Sequence, residues 1–403
     1  MSEAVASTAT PGFKYEPLPQ SSIRLIQLSA DLRDGRPDLS IKTYARDEAP
    51  EYVCTSYCWG PDPESEFVYL NDHQFPSRPN LFLLLLHMRH HRIAYPEWQY
   101  FWIDAICINQ SNVEEKTEQV SRMDETYRNA TTIAAWLGMP DESEDKEMSG
   151  RDHSSKLSSP AFVDKIMGSP YWSRMWIVQE LILAKEIILL YGYTRLPWKM
   201  IRGILQAWST LGKSKWRNSA AASFVQLGAG GIGAAYIQKQ GRALGELMRY
   251  LEHSEATDSR DRVFALLGLM EAEERKFIGT IFPDYTMSHE KVMLVTMAYL
   301  KQIYAPRPFR WIVKPRQVWG PKVFGLDRET WEAMWTETEA YRTPHDLTNY
   351  AHVWNAKSIG KLLIPGPSAK AFREQKAELK NLRQQWFEVR ADALHRLAKE
   401  SKR

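Results

Sequence analysis

The sequence predicts an α/β fold: a mostly parallel sheet flanked by helices, followed by a mainly helical C-terminal region. Three observations predict it. Between residues 22 and 192, short β-rich runs alternate with segments of helical period. One of those runs, Tyr100–Ile108, is nearly continuous apolar, as a strand covered on both faces is. Beyond residue 200 the periodicity is helical almost everywhere. Strand–helix–strand repetition implies right-handed crossovers and a wound sheet, whose ligands bind beyond the carboxyl ends of the strands.

Taken in order, residues 1–22 read as a polar, proline-containing arm, and Ser22–Leu28 alternates as a strand should. Residues 52–59 form a second strand, stopped by Gly60 and Pro61. Phe67–Leu70 with Asn71-Asp72 behind it reads as a hairpin. Asn80 is placed to cap a helix over 81–91. The run from Tyr100 to Ile108 reads as one buried strand containing Asp104, and 114–130 as one amphipathic helix. Residues 131–137 give a further strand, then comes an acidic, serine-rich loop over 139–159. A helix over 161–167 follows, then a helix carrying Trp172, Trp176 and Glu180 along one face, then a strand over 186–192. Helices are predicted over 199–212, 236–253, 258–270 and 288–304, and an amphipathic helix over about 368–402. The expected domains are an arm and lead-in strand (1–44), an α/β domain (45–195), a helical extension (196–304) and a Trp- and Pro-rich segment with the final helix (305–403).

Composition narrows the function. A net charge of +3 over 403 residues makes no electrostatic case for nucleic acid. The aliphatic block at Leu81–Leu86 is far short of a membrane span. Three cysteines in apolar surroundings suit a reducing compartment, and the N-terminus carries no signal-peptide pattern, so a cytoplasmic protein is expected. Fifteen tryptophans imply large buried aromatic surfaces.

Candidate chemistry concentrates on one rim: Trp59, Gly60, Asn109, Gln110, Trp136 and the start of the Glu180 helix. Glu180 has two readings. It can pair structurally with Arg174, or it can stabilise positive charge on a ribose as a glycosidic bond breaks. Asp104, a carboxylate in an apolar run, needs partners; it is read as organising the site without reacting. Gly228–Gly233 has G-x-G-x-x-G spacing without the strand that a dinucleotide site needs, so it reads as a connector. His87, His90 and His91 lack further ligands at metal spacing and read as a solvated helix end. Cys107 reads as a buried structural thiol. No metal and no cofactor are called for.

Taken in order, four blocks resemble the fungal HET (heterokaryon incompatibility) domain: 52–60 (YVCTSYCWG); 101–110 (FWIDAICINQ); Gln119-Val120 with Met123, Tyr127, Ala130 and Trp136-Leu137-Gly138; and 174–180 (RMWIVQE). The lead-in Tyr15–Leu28 is similar too, as are Asp258–Leu269 and Pro283-Asp284-Tyr285 in the extension. Cys54 and Thr55 depart from the usual small and aliphatic residues, and Thr55 must find a partner for its hydroxyl.

The resemblance implies a flavodoxin-like, TIR-like domain acting in non-self recognition and programmed cell death. TIR enzymes that hydrolyse NAD carry a glutamate in a Trp-x-x-x-Glu-like setting, which falls here on Trp176 and Glu180. By that analogy Glu180 is catalytic. Trp59, Gly60, Asp104, Asn109, Gln110, Arg174 and Trp176 bind substrate, NAD being the substrate rather than a cofactor. Self-association and a protein partner that triggers incompatibility are implied. The alternative is a non-enzymatic interaction or regulatory module, associated with a biosynthetic gene cluster.

Overall fold

The computed structural model describes residues 12–60, 63–140, 160–210, 232–304 and 320–338. They fall into two compact units, Met1–Pro283 and Asp284–Arg403.

In the first unit a sheet of nine strands has the order β5-β4-β2-β1-β6-β3-β7-β8-β9. The strands are β1 (Ser22–Leu28), β2 (Asp38–Ala45), β3 (Val53–Tyr57), β4 (Glu66–Leu70), β5 (His73–Ser77), β6 (Phe101–Trp102), β7 (Thr132–Trp136), β8 (Ile187–Tyr191) and β9 (Thr194–Pro197). Its centre is parallel: β3 pairs with β6 and β7, and β7 with β8. All five residues of β3, β7 and β8 are buried, as strands with helices on both faces require. Outside this centre, β1–β2, β1–β6, β4–β5 and β8–β9 pair antiparallel and only β2–β4 is parallel, so the sheet is mixed and its continuous parallel run is the middle.

Within the parallel centre, β3 comes first in sequence, β6 second, β7 third and β8 fourth, so the spatial order is 2-1-3-4. That is the flavodoxin-like winding. The connection after β3 runs to β6 on one side, and the connection after β7 runs to β8 on the other. The crevice where they diverge lies beyond the carboxyl ends of β3 and β7, at Cys58–Gly60 and Leu137–Gly138. Gly60 (φ +79°) and Gly138 (φ +98°) both lie in the left-handed region, where a side chain would be strained.

Helix α1 (Pro79–Ala94) starts on a proline, which needs no N–H partner there. The expected cap, Asn80, is instead inside the helix. Its side-chain amide donates to Cys58 O at 2.6 Å and accepts from the Trp136 indole at 2.9 Å, pinning the ends of β3 and β7 together. The strand expected over 100–108 stops at Trp102; α2 (Asp104–Cys107) begins at once, so Asp104 stands just beyond the strand's end. The helix expected over 114–130 is broken at Arg122 into α3 (Val113–Ser121) and α4 (Met123–Asn129). Asn112 caps α3 through Glu114 N and Glu115 N. Asn71 and Asp72 take positive φ in the two-residue turn between β4 and β5, as expected of a hairpin.

The histidine end of α1 is also different from expectation. His91 is fully buried with Nε2 3.1 Å from Gly192 O, and burial lowers its pKa to about 3. His87 is buried between Trp136 and Tyr193. The β8–β9 hairpin, with β9 unforeseen, covers what read as a solvated face.

The extension in the first unit is built of short helices, Ile232–Gln240, Leu244–Tyr250, Asp261–Phe264 and Ala272–Ile278. It is joined to α4 by an ion pair in which both nitrogens of the Arg275 fork meet Asp124, at 2.6 and 2.7 Å. The second unit contains helices His289–Tyr304, Pro321–Phe324 and Arg328–Glu337, with Trp331 and Trp335 stacked in the last. The helix expected over 368–402 and most of the glycine-rich tract lie outside the described residues. No described helix is long and apolar enough to cross a membrane.

Candidate functional site

The single helix expected to carry Trp172, Trp176 and Glu180 is not continuous. Pro170–Ser173 is a 3-10 turn, Arg174 is extended (φ −70°, ψ 134°), and the α-helix runs only over Ile177–Leu183. The three side chains therefore do not share one helix face. Trp172 turns into the core, where its indole donates to Ile166 O and its ring lies near Trp198. Proline at the start and Ser169 capping Tyr171 N fix the turn, and the Ser169 hydroxyl donates to Leu137 O just past β7. The break places Arg174 and Glu180 on separate pieces of backbone beside the end of β3.

Glu180 is 3 % exposed and both its oxygens accept hydroxyl protons. Ser56, on β3, donates to Oε2, and Tyr127, on α4, donates to Oε1 at 3.3 Å. The Ser56 oxygen is 2.6 Å from the Tyr171 hydroxyl. With the Ser56 proton committed to the carboxylate, Tyr171 is the donor to Ser56. Burial raises the Glu180 pKa, against the lowering effects of Arg174 and the Ser56 hydrogen bond. Burial likewise lifts both tyrosine hydroxyls well above their ordinary range, so they remain protonated donors.

Asp104 accepts from the Trp59 indole at 2.9 Å and from Ala105 N at 2.8 Å, while Gln110 donates to the Asp104 carbonyl at 3.0 Å. Burial raises its pKa too, and Arg174 opposes the rise. Arg174 thus carries the positive charge felt by both carboxylates. Burial alone would lower its pKa, but Glu180, Cys58 and Asp104 outweigh that and leave it raised. Its Nη1 is buried and has no hydrogen-bond partner. Arg78 donates to Gly60 O at 2.8 Å and its guanidinium lies over the Trp59 ring, fixing the loop after β3.

Trp59, Gly60, Asp104, Gln110, Arg174 and Glu180 therefore lie around the ends of β3 and β6. Asn109 faces elsewhere. Its side chain accepts from Ser111 N and its own N–H donates to Glu115, which forms a buried pair with Arg24 at 2.5 Å. Trp136 is buried against Asn80 rather than on the rim. Trp176 donates its indole N–H to Asp261 of the extension at 2.8 Å. Ser56, Tyr127, Tyr171 and Asn80 are not among the site residues expected from the sequence, where Asn80 reads as a helix cap and Tyr127 as part of a family-like block. Ser56 alone left a signal, a hydroxyl inside a fully buried strand, which must find a partner. Its neighbour Thr55 has no partner for its own hydroxyl. Cys107 is buried, and burial pushes its thiol up to about 12, as a structural cysteine requires. Among the described residues no cluster of acidic, histidine and cysteine side chains could hold a metal.

Fold and site together define a wound α/β protein with two buried carboxylates and one arginine around the carboxyl end of its central strand β3. Residues 52–180 match the family model described as heterokaryon incompatibility protein (HET), and this part of the chain is a HET domain. The chain is similar to heterokaryon incompatibility protein 6, OR allele, of Neurospora crassa, at 23 % identity over 379 residues covering 76 % of this chain and 54 % of that protein. It is similar to vegetative incompatibility protein HET-E-1 of Podospora anserina at 30 % identity over 143 residues, 34 % of this chain and 9 % of that one. The chain thus spans about half the length of the first relative and a small part of the second. No solved structure matches.

Proposed function

We propose that this chain acts in heterokaryon incompatibility as a cell-death effector, and that its HET domain cleaves the nicotinamide–ribose bond of NAD with Glu180 as the catalytic residue. The single observation carrying the proposal is the placement of Glu180. It is a desolvated carboxylate with a fixed orientation, beside an arginine, at the place where wound sheets bind ligands. The names of the two relatives support the biological half, and TIR-like chemistry is carried by analogy.

In this reading the glycosidic C–N bond breaks with its electron pair going to the nicotinamide nitrogen, which loses its positive charge. The ribosyl cation left behind is stabilised by the Glu180 carboxylate. Water adds to that carbon and releases a proton, giving ADP-ribose. Ser56 and Tyr127 hold the carboxylate still. Arg174 keeps it ionised by opposing the effect of burial, and offers positive charge to the substrate's phosphates. Trp59, anchored on Asp104, supplies an aromatic face for a base.

One observation favours a second reading. Glu180 is almost inaccessible and its oxygens are already hydrogen-bonded, as a carboxylate that merely ties β3 to the following helices would be. The rim would then be a protein-binding surface of a non-enzymatic module. The deciding experiment incubates purified protein, free and artificially clustered, with NAD and follows nicotinamide. Release that depends on Glu180 supports the enzyme, and its absence in every condition supports the module.

A further inference from the structure

We infer that the helical extension completes this site, with Glu255 and Asp261 as positioning residues that set the Arg174 guanidinium; the inference rests on the role given to Arg174 above. Arg174 is bracketed by two backbone hydrogen bonds to one residue. Glu255 N donates to Ser173 O at 2.5 Å, and Met175 N donates to Glu255 O at 2.7 Å, an isolated parallel bridge centred on Arg174 and Glu255. Next to it, the Trp176 indole donates to Asp261 Oδ2 at 2.8 Å.

The clamped segment lies between the 3-10 turn and the Glu180 helix, with extended backbone at Arg174, so neither element dictates its path. The clamp is itself stiffened. Arg260 closes a fork on Asp258, at 2.8 and 2.6 Å, in the turn immediately before Asp261. Arg174 acts on Asp104 and Glu180 through charge and makes no direct ion pair with either among the described residues. Its effect therefore depends on where its backbone is held. The family match ends at Glu180, whereas this clamp comes from residues 255–261, so residues 52–180 do not contain all that sets the site.

The test compares the full chain with Asp261→Ala, Asp261→Asn and Trp176→Phe. Asn still accepts from the indole, and Phe keeps the ring but not the N–H. One readout is the rate at which phenylglyoxal modifies Arg174, mapped by mass spectrometry. The other is the split between KM and kcat for NAD. Asp261→Ala and Trp176→Phe should each label Arg174 about tenfold faster and lower kcat about tenfold as well as raising KM, because a displaced Arg174 holds Glu180 ionised less well, and Asp261→Asn should stay within about twofold of wild type throughout. Wild-type labelling in a folded Asp261→Ala, or an Asn variant indistinguishable from Ala, overturns the inference. If Asp261→Ala fails to fold, Trp176→Phe decides. If the wild type releases no nicotinamide, the proposed activity falls on that result, and the labelling rates alone decide the clamp.

Discussion

The Ser56 hydroxyl donates to Oε2 of Glu180, so the penultimate residue of β3 shares a proton with the helix that precedes β8. Both partners are nearly inaccessible, Ser56 at 1 % and Glu180 at 3 %. A hydroxyl on a central strand is as rigid an anchor as the fold offers, and here it decides which way a buried carboxylate points.

Removing that anchor should cost stability and function together. Ser56→Ala leaves Glu180 short of one donor and the Tyr171 hydroxyl without its acceptor. An unsatisfied buried polar group costs about 1–3 kcal/mol, so urea unfolding should show a loss of that size. Any nicotinamide release should fall with it. An unchanged unfolding midpoint would mean that the Ser56 bond is not made in solution.

Stability should also respond to pH through Glu180. Burial raises its pKa in the folded chain, so the folded state holds the proton more tightly than the unfolded one. Folding then takes up a proton in the interval between the ordinary carboxylate value and the raised one, and stability falls as pH rises through it. Asp104, raised for the same reason, acts in the same direction. The unfolding free energy measured across this interval should decline with pH in wild type and decline less steeply in Glu180→Gln. Identical slopes would contradict the assigned shift.

Glu115→Ala tests the node behind the site. Arg24 and Glu115 are buried together, with the guanidinium also donating to Cys107 O and Glu16 O. Stripping one partner from a buried pair costs about 3–5 kcal/mol, because the other charge is left uncompensated. Chemical denaturation should register that loss, and a change below about 1 kcal/mol would show that the pair is largely solvated.

Gly268→Ala tests the join to the extension. A Cβ at Gly268 would overlap the Asp124 side chain and crowd Gln179, so Asp124 must shift and its fork with Arg275 must loosen. Overpacking of this kind costs about 1–3 kcal/mol, readable as a lowered Tm. Arg275→Ala in the same background should then add little, since the two changes break one interaction.

The architecture was legible where the sequence pattern is determined by burial. The β-rich runs at 53–57, 132–136 and 187–191, rich in β-branched and aromatic residues and closed by glycine, became the buried parallel centre. Strands β2 and β9 were not legible: β2 is half exposed and β9 is four residues ending in proline. The helix of Trp172, Trp176 and Glu180 was misread because helical spacing persists across the break at Arg174. Only the tertiary bridge to Glu255, far along the chain, reveals why the backbone extends there. His87 and His91 of α1 were misread for a similar reason, since the hairpin that buries them follows about a hundred residues later (His91 to Gly192), while His90 is exposed as expected. Glu180, Asp104 and Arg174 could be named from residue type and neighbourhood. Tyr127 and Tyr171 could not, because a tyrosine on an apolar face reads as packing until its hydroxyl is located.

The most direct measurement is nicotinamide release from NAD by purified wild type and Glu180→Gln, assayed side by side after confirming that both are folded. Glutamine fills the same space and can still accept from Ser56, but it cannot supply the negative charge. The account predicts release by wild type and a loss of about a hundredfold or more in the variant, as expected when an electrostatic stabiliser is removed. Equal turnover by the two proteins, or none by wild type even when clustered, would contradict it.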